Sequence, residues 1–122
     1  MSVPIQVLIV DDQPQFRRAA ARLISAVGGF EINGEANSGE EALTFMAMRR
    51  ADLVLMDVRM PGMSGAEATR RIRANHPATR VVLVSVTDPA ELAPDIDTCG
   101  AERFIKKDQI DAGTLELLRQ ST

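Results

Sequence analysis

Apolar and polar positions fall in alternating blocks along the chain. Ile5-Gln6-Val7-Leu8-Ile9-Val10 is a β-branched apolar run that stops at two aspartates, Asp11 and Asp12. From Phe16 to Val27 the apolar residues Ala19, Ala20, Leu23 and Ile24 recur at helical spacing, which predicts an amphipathic helix. Pro14 suits the first turn of that helix, where its missing N–H forfeits no hydrogen bond, and Gly28-Gly29 ends it.

The alternation then repeats. Phe30 to Ala36 reads as a weaker strand. Ser38 stands at the start of the next helix with Glu41 three residues on, a capping-box pattern, and Ala42, Leu43 and Met46 supply the buried stripe. Leu53-Val54-Leu55-Met56 is a continuous apolar run ending at Asp57, as expected of a strand buried on both faces. Met60-Pro61-Gly62 breaks the chain before a helix from about Ser64 to Ala74. Val81 to Val84 is a fourth strand running into Ser85, and Pro89 to Asp97 is a weak fourth helix interrupted by Pro94. Arg103-Phe104-Ile105 is a short fifth strand, and Ala112 to Arg119 a last helix. Five strand-then-helix units of roughly 20–25 residues imply an α/β fold, a doubly wound parallel sheet with right-handed crossovers and helices on both faces.

Composition narrows the function classes. The 122 residues suit one domain over 1–122; 45% are apolar and the formal net charge is −3, without the basic excess of a nucleic-acid binder. No apolar run approaches the ~20 residues of a spanning helix. Met1-Ser2-Val3-Pro4 enters the first strand with no leader pattern, and the single Cys99 excludes an internal disulfide, so a cytoplasmic location is expected.

Function in a doubly wound sheet gathers beyond the carboxyl ends of the strands. Asp11 and Asp12 follow strand one, Asp57 ends strand three, Ser85 and Thr87 follow strand four, and Lys106 and Lys107 follow strand five. Three carboxylates would thus meet a hydroxyl and one or two ammonium groups. Carboxylates so placed repel one another unless a cation intervenes, and a hard divalent ion such as Mg²⁺ suits oxygen ligands. A carboxylate beside such an ion and a lysine is a reasonable nucleophile toward phosphorus, which points to aspartyl phosphorylation.

Four pieces then make a specific pattern: Val10-Asp11-Asp12, the stretch Met56-Asp57-Val58-Arg59-Met60-Pro61-Gly62-Met63-Ser64-Gly65, Val84-Ser85, and Gly100 through Lys107. Together they resemble the receiver domains of two-component response regulators over essentially the whole chain. The resemblance implies a flavodoxin-like (βα)5 fold with strand order 2-1-3-4-5. It makes Asp57 the phosphoacceptor, Asp11, Asp12, Asp57 and the backbone carbonyl of Arg59 the Mg²⁺ ligands, and Lys107 the essential lysine. Lys106 stands where the family is usually apolar. Ser85 and Phe104 become the switch pair, acting through the face formed by the fourth helix, fifth strand and fifth helix. The implied partner is a histidine kinase or a histidine phosphotransfer protein, docking near Phe16, Arg17 and Arg18, with no direct nucleic-acid or membrane contact by this chain. The output partner is left open, a homodimer among the options. Asp12-Gln13-Pro14 and Lys107-Asp108 resemble the NarL-type branch, so the chain is either a stand-alone receiver or part of a DNA-binding regulator.

Some positions depart from the pattern. Val86 replaces a smaller residue, which predicts tighter access to Asp57, and Asp108 replaces a proline; Arg59 and Thr87 occupy variable flanks that tune phosphate lifetime in the family. A phosphohydrolase of the haloacid dehalogenase type would want an aspartate where Arg59 stands. A flavin carrier would want aromatics, and the chain has neither Trp nor Tyr. His76 and Lys106 read as surface residues, and Cys99 and most methionines as core filling.

Overall fold

The computed structural model describes residues 3–92 and 94–121. The strands are β1 (Ile5–Val10), β2 (Phe30–Ala36), β3 (Leu53–Asp57), β4 (Arg80–Ser85) and β5 (Arg103–Lys106). They form one parallel sheet in the order β2-β1-β3-β4-β5. Four α-helices accompany them among the described residues: α1 (Pro14–Val27), α2 (Gly39–Met48), α3 (Gly65–Asn75) and α4 (Ala112–Gln120).

The period-two alternation of a strand sends successive side chains to opposite faces, and here both faces are covered. Leu8, Val10, Val54, Met56, Val81 and Leu83 point to one side, against Ala42 and Met46 of α2 and Ala66, Ala68 and Ile72 of α3. Val7, Ile9, Leu53, Leu55, Val82 and Val84 point to the other, against Ala20 and Ile24 of α1 and Leu115 and Leu118 of α4. This is why β3, and β1 from Val7 onward, read as unbroken apolar runs. Because β2 lies on one side of β1 and β3 on the other, the winding reverses at β1 and opens a crevice between the ends of β1 and β3.

The weak fourth helix is corrected by the structure. Pro89–Glu91 and Pro94–Asp97 are two short 3-10 turns, with Ala93 outside the described residues. Each turn opens on a proline that has no N–H to donate, so one continuous α-helix does not run through the segment. The fifth helix of the sequence pattern is therefore α4. The capping box at α2 is also modified: Ser38 accepts from the Glu41 amide at 3.0 Å, but the Glu41 carboxylate accepts from Asn37 N, one residue before the cap. Among the described residues no helix is long and apolar enough to cross a membrane.

Candidate functional site

Asp11 leaves β1 fully buried, its amide donating to the carbonyl of Ala36 at 3.0 Å. Its Oδ1 accepts from Gln13 N at 2.8 Å, a local turn that hands the chain to Pro14 at the start of α1. Arg17 on the first turns of α1 donates to the Asp11 carbonyl and pairs through Nε with Glu35 of β2 at 2.9 Å. The acidic loop is thus held from both neighbouring elements.

Asp57 ends β3 with 5% of its surface exposed. The loop behind it turns at Gly62, whose φ of 80° is a left-handed conformation that favours glycine. Gly65 then brings α3 against the backbone of β3, its amide donating to Val58 O at 2.9 Å. A Cβ there would lie 2.1 Å from the Asp57 carbonyl oxygen, so only glycine fits. Ser64 caps the helix by accepting from Glu67 N at 3.1 Å.

One carboxylate oxygen from each of Asp11, Asp12 and Asp57 lies within 4.8 Å of the other two. Lys107, its side chain 12% exposed, reaches into this group from the end of β5. Its Nζ is 2.6 Å from Asp11 Oδ2 and 3.6 Å from Asp57 Oδ1. The closer contact is an ion pair by distance without hydrogen-bond alignment, so Asp11 Oδ2 is buried with no aligned donor. Burial, and next the charge of Asp11, push the Asp57 carboxyl up to about 7; Lys107 partly opposes them. An all-oxygen acidic cluster with a buried, unsatisfied carboxylate oxygen fits a hard divalent cation such as Mg²⁺.

The remaining predicted residues divide. Ser85 is buried at the end of β4, and its Oγ accepts from Thr87 N at 3.1 Å. Asp12, Gln13, Asp57, Arg59, Ser85, Val86 and Lys107 line one pocket. Val86 sits on that pocket with 75% of its surface exposed, on the rim and not across the floor. Phe104 is half-buried and packs on the core face that holds Ile96 and Cys99. Lys106 does not reach the carboxylates; it pairs with Asp88 at 3.4 Å. His76 lies at the opposite end of the sheet, before the start of β4, in a pocket with Arg50, Asp52 and Thr79.

Two residues of α1 contribute to the site in ways their motif does not announce. Arg17, expected on a docking surface, has its guanidinium bound within the fold, while Arg18 is exposed. The ring of Phe16 lies 4.5 Å from Lys107 Nζ, face toward the ammonium. The available signal is an aromatic and an arginine on the helix turn directly after the acidic pair.

Comparisons with known proteins agree with this geometry. The sequence model of the response regulator receiver domain matches residues 7–118. The response regulator GacA of Pseudomonas viridiflava is 36% identical over 115 residues, covering 94% of this chain and 52% of that protein. The transcriptional regulatory protein NarL of Mycobacterium tuberculosis strain H37Rv is 36% identical over 104 residues, covering 85% of this chain and 48% of its own length. The chain therefore spans about half the length of the curated relatives it matches. The solved signal receiver domain of NarL from M. tuberculosis superposes with a TM-score of 0.89 at 31% identity, covering 98% of this chain and 97% of that one. A chain of the CheX–CheY–BeF3–Mg²⁺ complex from Borrelia burgdorferi gives 0.79 at 32% identity, covering 97% of this chain and 87% of that one. With the five-stranded order 2-1-3-4-5 and a family match across nearly its whole length, the chain belongs to the receiver domain family of two-component response regulators.

Proposed function

We propose that this chain is a phosphoacceptor switch that takes a phosphoryl group from a phosphohistidine onto Asp57, residues 1–122 acting as one unit. The observation that carries the reading is the buried Asp57 carboxylate beside two further aspartates and a largely buried ammonium, at the crevice where the sheet winding reverses. In the transfer, an Asp57 carboxylate oxygen bonds to phosphorus while the P–N bond to the imidazole breaks, and the departing nitrogen keeps the bonding pair and takes up a proton.

Asp11, Asp12, Asp57 and the carbonyl of Arg59 would hold Mg²⁺. When bound, the ion neutralises carboxylate and phosphoryl charge. Lys107 supplies a fixed cation next to Asp57, and its limited exposure to water makes that charge more effective. Ser85 would donate its hydroxyl proton to a phosphoryl oxygen, and Phe104, on the core side of β5, would turn into the space it leaves. The altered surface comprises the 3-10 turns, β5 and α4, where output partners or a second copy of the chain would bind. The B. burgdorferi complex, which pairs the same fold with BeF3 and Mg²⁺, supports this reading. The phosphodonor is a histidine kinase or phosphotransfer protein of the cytoplasm. Any DNA-binding output, as in a NarL-type regulator, would lie in sequence beyond these residues.

Intact mass after incubation with Mg²⁺ and acetyl phosphate tests the proposal. One added phosphoryl group on the wild type, absent from Asp57→Asn and from a Mg²⁺-free control, is the expected result. An unmodified wild type that also fails to bind beryllofluoride with Mg²⁺ would overturn it.

A further inference from the structure

The Lys107 ammonium has carboxylates on one side and an aromatic ring on the other. Asp11 Oδ2 and Asp57 Oδ1 lie 2.6 and 3.6 Å away, and the Phe16 ring centroid lies 4.5 Å away. The lysine side chain is only 12% exposed, so the ring takes the place of solvating water on that side. A cation over a ring face is held by the ring quadrupole, more strongly when desolvated. Phe16 itself is half-buried on the α1 side of the core, with Ile105 and Ile110 also packed there. Its place is fixed by Pro14, which starts α1 directly after the acidic loop.

We infer that Phe16 is a positioning residue, acting through Lys107: its ring pins the ammonium beside Asp57 before any phosphodonor arrives. This rests on the proposed role of Asp57 and Lys107 and extends it to a residue of α1. Without the ring, only the ion pairs with Asp11 and Asp57 hold the ammonium, and the flexible four-carbon stem gains positions turned toward water. The cation must then be ordered again during transfer, a cost that preorganised charges avoid. Any ring restores the effect; an aliphatic side chain of similar size keeps the packing and loses it.

The test uses Phe16→Leu, Phe16→Met and Phe16→Tyr, each alone and combined with Lys107→Ala. Two readouts are taken: the rate of Asp57 phosphorylation by acetyl phosphate, and the proton shift of the Lys107 ε-methylene in metal-free protein. The wild type and Phe16→Tyr should show an upfield ring-current shift that Leu and Met abolish. Leu and Met should slow phosphorylation about fivefold to tenfold and Tyr hardly at all, the range a partly desolvated cation–π contact supports. In the Lys107→Ala background the Phe16 substitutions should have no further effect. The inference is overturned if the ε-methylene shift is unchanged in Leu and Met, or if they slow the Lys107→Ala protein as much as the parent. Should the wild type take up no phosphoryl group, the proposed function fails instead, and the methylene shift still decides where Lys107 sits.

Discussion

Asp57 concentrates the electrostatic cost of this fold. Its carboxyl titrates near 7 because it is buried beside Asp11, whereas an unfolded chain leaves aspartate near its ordinary value of about 3.9. A raised folded-state pKa means that the native protein holds the proton more tightly. The associated stability is fully present below about pH 4 and is lost as pH rises through about 7. A tenfold difference in proton affinity between folded and unfolded chains is worth about 1.4 kcal/mol, so metal-free Asp57→Asn should exceed the wild type by a few kcal/mol at most at pH 7.5. The two should converge toward pH 4, in urea melts with a chelator present. Saturating Mg²⁺ should narrow the gap by stabilising the wild type more than the variant. The lysines give a second comparison. Lys107→Ala should slow phosphorylation by acetyl phosphate about tenfold or more, since it removes a fixed cation from the developing charge. Lys106→Ala, which breaks only an exposed pair with Asp88, should leave the rate within about twofold. The residues alone left one or two lysines at the site; only the family resemblance separated these neighbours. What neither conveyed was the Phe16 ring, because a contact between α1 and the end of β5 depends on how the helix is rolled against the sheet.

At the scale of elements, the strands were the most legible part. β2 and β3 fall on the expected residues: a two-sided apolar run and its terminating aspartate mark β3, and β2, with only a partial apolar pattern, spans the interval between Gly28-Gly29 and the Ser38 cap. The fourth helix was least legible. Its two prolines were visible, but whether such a segment makes a kinked helix or separate turns depends on what it packs against. Val86, expected to tighten access to Asp57, lines the same pocket while 75% of its surface stays exposed. The β3–α3 connection carries a sharp steric demand that spacing only hinted at. Gly65→Ala would force a methyl to 2.1 Å from the Asp57 carbonyl oxygen. It should destabilise the protein by roughly 2–4 kcal/mol, as backbone overpacking does, measurable in denaturant melts, and slow phosphorylation by displacing Asp57. The capping box of α4 provides a contrast remote from the acidic cluster. Asp111 accepts from Thr114 N at 2.8 Å while the Thr114 hydroxyl accepts from Asp111 N. Asp111→Ala should cost about 1 kcal/mol and leave phosphorylation intact.

For the whole molecule, the reversal of winding at β1 decides where chemistry can occur. It places the ends of β1 and β3 side by side, so residues far apart in sequence, Asp11 and Asp57, share one crevice. The ends of β4 and β5 complete the rim with Ser85 and Lys107. Strand–helix alternation was enough to anticipate a parallel sheet with chemistry beyond its carboxyl ends, whereas the strand order that sets β1 beside β3 came only from the family resemblance. In the proposed function the phosphoryl group lands on Asp57 and on no other carboxylate of the cluster. Phosphorylating the Mg²⁺-loaded protein with acetyl phosphate, then reducing it with borohydride, converts an aspartyl phosphate to homoserine that peptide sequencing by mass spectrometry can place. Homoserine is expected at position 57 alone; homoserine at position 11 or 12, or none in a protein that has gained phosphate, would contradict transfer to Asp57.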